Sequence, residues 1–274
     1  MFFVETLIFN TAKENFLDDV KIKLDLVANL EAEKINNSIH DFKADLQIIQ
    51  NYYNIKFNIP FLTVSGNKSR SSKYNQAKKM LDDQLITWLT SKKGFKDLML
   101  VSPGGKIVYS LNPDHDSKDL GKTLPDPENL AFEQGKKGIY LTDIFKNERE
   151  NNTPAMLVSG PVNDLKGNFA GVIALELDMV FLYEQLAERT DLGSTGETYL
   201  INKDKFMISP SKFIDNAVLN IKVETENAEK CFQKTGGGEQ INNVEKIEKE
   251  QSVWRFKDYR GIEVIGTHIY IPEH

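Results

Sequence analysis

"DLGSTGETYLINKDKFMISP", residues 191–210, sets Gly193 and Gly196 three apart and runs straight into Glu-Thr-Tyr-Leu-Ile. A polar break at Lys203-Asp204 follows, then a second apolar run, Phe206-Met207-Ile208. Locally this predicts a glycine-punctuated loop, a strand, a tight turn and a second strand. A nucleotide-binding loop is excluded, because no Gly-Lys-Ser/Thr ends the stretch and the glycines precede a strand rather than a helix.

The same plan is written earlier in the chain. "DLMLVSPGGKIVYS" (97–110) is a strand, a Pro-Gly-Gly turn and a strand. A second hairpin follows in "LVSGPVNDLKGNFAGVIALEL" (157–177), and "VWRFKDYRGIEVIGTHIYI" (253–271) repeats it, with Gly167 and Gly261 marking the turns. Two modules of one plan therefore stand in series, joined by a short helix over 179–190 and by "LGSTG" as a hinge. The second module is shorter, with no equivalent of the strand expected over Tyr140–Phe145. "SGNKSRSSKYN" reads as a polar loop, 74–91 as a helix ending near Gly94, and "KTGGGEQINN" (234–243) as a flexible loop.

Ahead of the modules, Thr11 to Tyr53 holds neither proline nor glycine. Leu17, Val20, Leu24, Val27, Ile35, Ile39, Phe42, Leu46, Ile49 and Tyr53 recur at intervals that favour three and four, one stripe along a helix. Roughly forty residues at 1.5 Å each make a rod of about 60 Å, longer than one domain requires. Such a helix can serve two domains in turn, or pack on a copy of itself. The class expected is α+β: a long N-terminal helix over 1–60, then two modules with antiparallel sheets at 61–190 and 191–274.

Composition narrows the function. Of 274 residues, 40% are hydrophobic and 27% charged, which is globular, and the net charge of −6 offers no basic face for nucleic acid. The single cysteine, Cys231, rules out an internal disulfide framework and reads as a small buried side chain. The four histidines lack metal-ligand spacing, and His115, in the acidic "NPDHDSKD", reads as part of a solvated turn. No run approaches the roughly 18 apolar residues that span a bilayer. "MFFVETLIF" has neither the basic region nor the cleavage site of a signal peptide, and both ends read as cut from something longer. No catalytic order of Ser, His and Asp stands in a strand-turn-helix context, "VSGPV" is no nucleophile elbow, and no cofactor or metal is implied.

The junction "LYEQLAERTDLGSTGETYLINKDKFMISPSKF" (182–213) resembles that of a double-Cache sensor domain. "VETENAEKCF" (223–232) and "DYRGIEVIGTHIYIPE" (258–273) resemble its membrane-proximal module, so the likeness spans about 15 to 274. The resemblance implies two PAS-like modules, membrane-distal and membrane-proximal, in the extracytoplasmic part of a receptor tethered by flanking membrane helices. It implies a histidine kinase, cyclase or chemoreceptor as the whole protein. The ligand is implied in the distal module, between the sheet and the segment before the second hairpin. The family's amino-acid-sensing branch carries an Arg and a Trp-Tyr pair that "LPDPENLAFEQGKKG" (124–138) lacks, whereas its acidic residue on the last strand is kept as Glu176. Phe145 stands near a later Tyr of that branch.

Strand alternation puts Val172, Ala174 and Glu176 on one face. A carboxylate among small apolar neighbours needs a partner, either an amine-bearing ligand or a nearby Lys or Arg. Tyr140 and Asp143 lie on the segment that the resemblance implies as lining the pocket, and otherwise read as an edge-strand aromatic and a surface turn acid. Val101, Tyr109, Met156 and Ser159 are pocket walls or plain core. Asp178 reads as the N-cap of the connecting helix. The reading is a sensor of a small polar molecule, most consistent with a sensor kinase, with a weak homodimer expected through Leu17–Val27. The alternative is a secreted or surface partner-binding module whose pocket is vestigial.

Overall fold

The run without proline or glycine becomes one uninterrupted helix, α1 (Phe2–Ile49), in the computed structural model, which describes residues 2–63, 72–187, 192–233 and 254–272. The chain divides into two compact units, Ser38–Glu188 and Met1–Asn37 with Arg189–Glu273, so α1 contributes to both. The expected loop at 234–243, residues 65–71 of the polar loop expected over 65–75, and 188–190 of the connecting helix lie outside the described residues.

In the unit 38–188 the last turns of α1 lead into α2 (Tyr53–Thr63) and α3 (Ser72–Ser91). Pro60 lies inside α2. The strands β1 (Phe95–Val101) and β2 (Ile107–Ser110) follow, then α4 (Pro113–Asp119), a 3-10 turn (Pro127–Asn129) and α5 (Leu130–Gly135). Next come β3 (Tyr140–Leu141), β4 (Phe145–Asn147), a 3-10 turn (Glu148–Glu150), β5 (Thr153–Ala155), β6 (Leu157–Asn163), β7 (Phe169–Leu177) and α6 (Met179–Ala187). The expected single strand over Tyr140–Phe145 is split at Thr142-Asp143: β3 joins the main sheet and β4 pairs only with β5.

The main sheet runs β2-β1-β7-β6-β3 and is antiparallel throughout. Its two long hairpins turn where the glycines stand, with Gly105 and Gly167 at φ +78° and +85°. Gly171, at φ +147°, lets strands approach: a Cβ there would lie 2.1 Å from the Val101 carbonyl oxygen. One face of the sheet packs on the helices, as Gly160 shows by sitting against Leu46 of α1. Leu46, Ile49, Ile55, Ile59, Leu81 and Leu85 are fully buried on that side, each stabilising by about 1.5–3 kcal/mol. The other face carries a second cluster, in which Met99, Val101, Val172, Ala174 and Leu157 meet Leu124, Ala131, Phe132 and Phe145. Asp178 caps α6, accepting from the backbone N–H of Val180 at 3.0 Å and of Phe181 at 3.3 Å.

The other unit explains the opening stretch. Gly193 adopts φ +69°, and a Cβ on Gly196 would stand 2.3 Å from that of Leu192, so each glycine meets a separate requirement. Lys212 donates to the carbonyls of both, at 2.7 and 3.1 Å, while Glu197 accepts from the Lys212 backbone N–H at 2.9 Å. The expected strand pair closes through Leu200–Ile208 and Asn202–Phe206 backbone bonds but amounts to isolated bridges. Its residues pack with Ala217, Val223 and Ala228 and with the edge-to-face pair Tyr199–Tyr259. α7 (Glu226–Gln233) and the hairpin β8 (Trp254–Lys257)–β9 (Glu263–Gly266), turning at Gly261, complete the described part. Cys231 is buried on α7, and burial pushes its thiol up to about 11. The whole is an α+β fold.

Candidate functional site

Asp97 is the residue around which the site is built. It is fully buried on β1 beside Glu176 of β7, its antiparallel neighbour. Its carboxylate accepts from the Leu98 backbone N–H (2.6 Å), the Ser110 hydroxyl (2.6 Å), the Asn112 backbone N–H (2.9 Å) and His115 Nδ1 (2.8 Å). The Asn112-Pro113 start explains α4: the Asn112 side chain accepts from the Asp114 N–H at 3.0 Å, and Pro113 occupies the first turn. His115 is therefore not in a solvated turn. α4 carries it, 7% exposed, against the end of the sheet.

The opposite ring nitrogen, Nε2, meets Glu150 Oε1, and Nδ1 lies 3.9 Å from Glu176 Oε2. Lys96 completes the group, its ammonium 3.1 Å from Glu176 Oε1 and paired with Glu150. A register shift in β1 between Phe95 and Asp97 brings Lys96 to the side on which Asp97 points. Asp97 raises the His115 imidazole from 6.5 to about 9; burial opposes this, and Glu176 and Glu150 add to it. Burial lifts the Glu176 carboxyl above its ordinary range, with Lys96 and His115 pulling it back. For Glu150 the effect of burial is outweighed by Lys96 and His115, so its carboxyl is held low. His115, Glu150 and Glu176 each offer one ligating atom, all within 4.8 Å of one another.

The residues expected at the site divide into three groups. Val101 and Ser159 lie on the same sheet face as Glu176, as does Tyr140, which pairs with Ser159. Phe145 reaches that face from β4 as part of its apolar cluster. Ser159 is fully buried, donates to the Ala131 carbonyl at 2.6 Å, and stands 2.7 Å from where a Gly135 Cβ would be. Met156, half-buried, accepts from the Leu177 N–H through its carbonyl at 3.0 Å. Asp143 is exposed and accepts from the Ile144 N–H at 2.7 Å. Tyr109 points away: a register shift between Leu100 and Val101 turns it to the helix side, where its hydroxyl donates to Asp82 of α3 at 2.9 Å. Asp97, His115, Lys96 and Glu150 were not foreseen; the Asn-Pro-Asp helix start was the one available signal, and it places only His115.

A family model described as a Cache domain, of the double-Cache type, matches residues 10–272. The chain belongs to the double-Cache family. Double-Cache domains are non-catalytic, ligand-binding sensor domains of membrane receptors, extracellular in location. No curated protein matches the chain. Among solved structures, this double-Cache chain is similar to the ligand-binding domain of the Campylobacter jejuni chemoreceptor Tlp3 in complex with L-norvaline. That likeness has a TM-score of 0.54 and 11% identity, over 80% of this chain and 79% of the other. It is also similar to the sensor domain of the Vibrio cholerae histidine kinase DctB (TM-score 0.49, 12% identity, 72% and 67% covered). A third likeness is to an extracellular ligand binding receptor from Desulfohalobium retbaense (TM-score 0.48, 13% identity, 71% covered), of which the chain spans 32%. Among the described residues, no helix is long and apolar enough to cross a membrane.

Proposed function

We propose that this chain is the extracytoplasmic sensing domain of a transmembrane receptor, most consistent with a sensor histidine kinase, and that it binds a small polar molecule in the unit 38–188. The carrying observation is the family match over nearly the whole chain, on a fold whose first helix enters both units. In this reading the unit 38–188 is membrane-distal and the other membrane-proximal. The ligand lies on the sheet face of Val101, Ser159, Tyr140 and Phe145, with Glu176 at its end. A cationic group on the ligand would take over part of what Lys96 now does for Glu176. Differential affinity for two packings of that unit would then shift a pre-existing equilibrium.

Thermal-shift screening against amines, amino acids and small carboxylates should yield a stabilising ligand, and Glu176→Gln should weaken it by about 1.5–3 kcal/mol, the scale of a charged hydrogen bond. Unchanged affinity in the variant would remove Glu176 from the role. The coding sequence on either side tests the receptor reading, which requires membrane helices there and a kinase output.

One observation favours the second reading, a partner-binding module with a vestigial pocket: α5 is packed directly on Ser159 through Gly135, and Phe132 fills the same face. A complete screen without any stabilising ligand supports it. We also propose weak self-association through α1. Leu17, Val20, Leu24 and Val27 are half-buried, while Phe16, Ile22, Leu26 and Leu30 on the adjoining face are 67, 67, 58 and 49% exposed.

A further inference from the structure

We infer that His115, Glu150 and Glu176 form a binding site for a divalent transition-metal ion, with Asp97 orienting the imidazole and Lys96 holding the ion's place. The inference rests on the cluster alone and stands or falls independently of the sensory reading.

Three features point to a metal rather than to an ion network serving only stability. The first is the arrangement of the imidazole. Asp97 accepts from His115 Nδ1 at 2.8 Å, which leaves Nε2 directed at Glu150. A buried carboxylate fixing one ring nitrogen while the other faces a second carboxylate is the support that metal-binding histidines receive. Asp97 is itself locked by Ser110 and by two backbone N–H groups, so the ring has little freedom.

The second feature is charge. The carboxylates of Asp97, Glu150 and Glu176 converge on one imidazole and one ammonium. A divalent cation can take the place that the Lys96 ammonium now holds between Glu150 and Glu176, with the lysine moving into solvent. Lys96 can leave, since its side chain is 38% exposed, whereas that of Glu176 is 3% exposed.

The third is reach. The three ligating atoms lie within 4.8 Å of one another. Metal–ligand bonds of about 2.0–2.2 Å require roughly 3–3.6 Å between ligands, a contraction of an ångström or so. Glu150 already meets Nε2, so the contraction falls on Glu176, and Glu150, 21% exposed at the end of a 3-10 turn, can shift to meet an ion held between them. One nitrogen and two carboxylates suit Zn²⁺, Mn²⁺, Co²⁺ or Ni²⁺ over Ca²⁺ and Mg²⁺, which favour all-oxygen sets. Three protein ligands leave coordination positions for water or for a donor group of a ligand.

The test uses the chelator-stripped chain titrated with Zn²⁺ by calorimetry, and with Co²⁺ by visible absorption. The expected result is one ion per chain, a cobalt d–d band, and little response to Mg²⁺. Glu150→Gln, at a partly exposed position, should weaken Zn²⁺ binding by about tenfold or more, and Asp97→Asn by roughly 10–100-fold. Lys96→Met should strengthen it, because the competing cation is gone; a network that serves stability alone would gain no zinc affinity from that change. Absence of Zn²⁺ binding, binding that Glu150→Gln leaves unaltered, or binding that Lys96→Met fails to strengthen would each overturn the inference.

Discussion

His115 makes a quantitative prediction about stability and pH. Its imidazole is raised from 6.5 to about 9 by Asp97, with Glu176 and Glu150 adding and burial opposing. The folded state thus favours the protonated ring. Below about pH 6.5 the ring is protonated in both folded and unfolded chains, and the contribution is complete. It declines between there and about pH 9 and is lost above. At about 1.4 kcal/mol for each pH unit, the contribution is about 3 kcal/mol. Comparing wild type with His115→Gln brings it out, since groups away from the cluster titrate alike in both proteins and only the Glu150 and Glu176 carboxyls, which His115 also holds down, change with it. Trp88, buried and 5.4 Å from the Phe95 ring, reports on the unit 38–188, given a Trp254→Phe background that removes the second tryptophan. With chelator present, urea unfolding should show the advantage of wild type shrinking by about 3 kcal/mol between about pH 6 and about pH 9.5. In an Asp97→Asn background the change should fall to less than half. A gap between wild type and His115→Gln that is the same at both pH values would refute the reasoning.

Gly171→Ala should cost about 3 kcal/mol or prevent folding, since its Cβ meets the Val101 carbonyl oxygen at 2.1 Å. Gly167→Ala, with nothing within 4 Å, should cost about 1–2 kcal/mol; a loss under about 1 kcal/mol at Gly171 would contradict the close approach of β1 and β7. Cys231, buried and pushed up to about 11, should react with a thiol reagent near neutral pH at least about tenfold more slowly than in urea. Sedimentation at rising concentration should show weak self-association that Ile22→Glu with Leu26→Glu removes, and a strict monomer at millimolar protein would end that idea.

What was legible in the sequence was local. The Pro103-Gly104-Gly105 turn, the Asp164–Asn168 turn with Gly167, and Gly261 each need a left-handed glycine, and all appear where the hairpins were expected. The Asp178 cap and the burial of Cys231 were equally plain. α2 carries Pro60 inside it, because a proline breaks a helix only on average and packing can hold the chain through it. The face of Tyr109 could not be read, since a register shift between Leu100 and Val101 interrupts the alternation on which the reading depends. The partners of Glu176 were out of reach for another reason. Lys96 is 80 residues away in sequence, and Glu150 enters from a turn, so no spacing rule connects them. The reading did foresee that Glu176 would need a cation, and left open whether a ligand or a lysine supplied it.

Lys96 gives the site a built-in set point. Its ammonium is tethered to the strand that forms the site, so its local concentration stays fixed however dilute the surroundings. Any incoming cation must outcompete that occupant, and the response threshold is then governed by how firmly one side chain holds two carboxylates. Exchanging Lys96 for arginine, glutamine or methionine would move the threshold up or down without touching the groups that recognise the newcomer. Sensitivity and selectivity would then be set by different residues, free to vary separately.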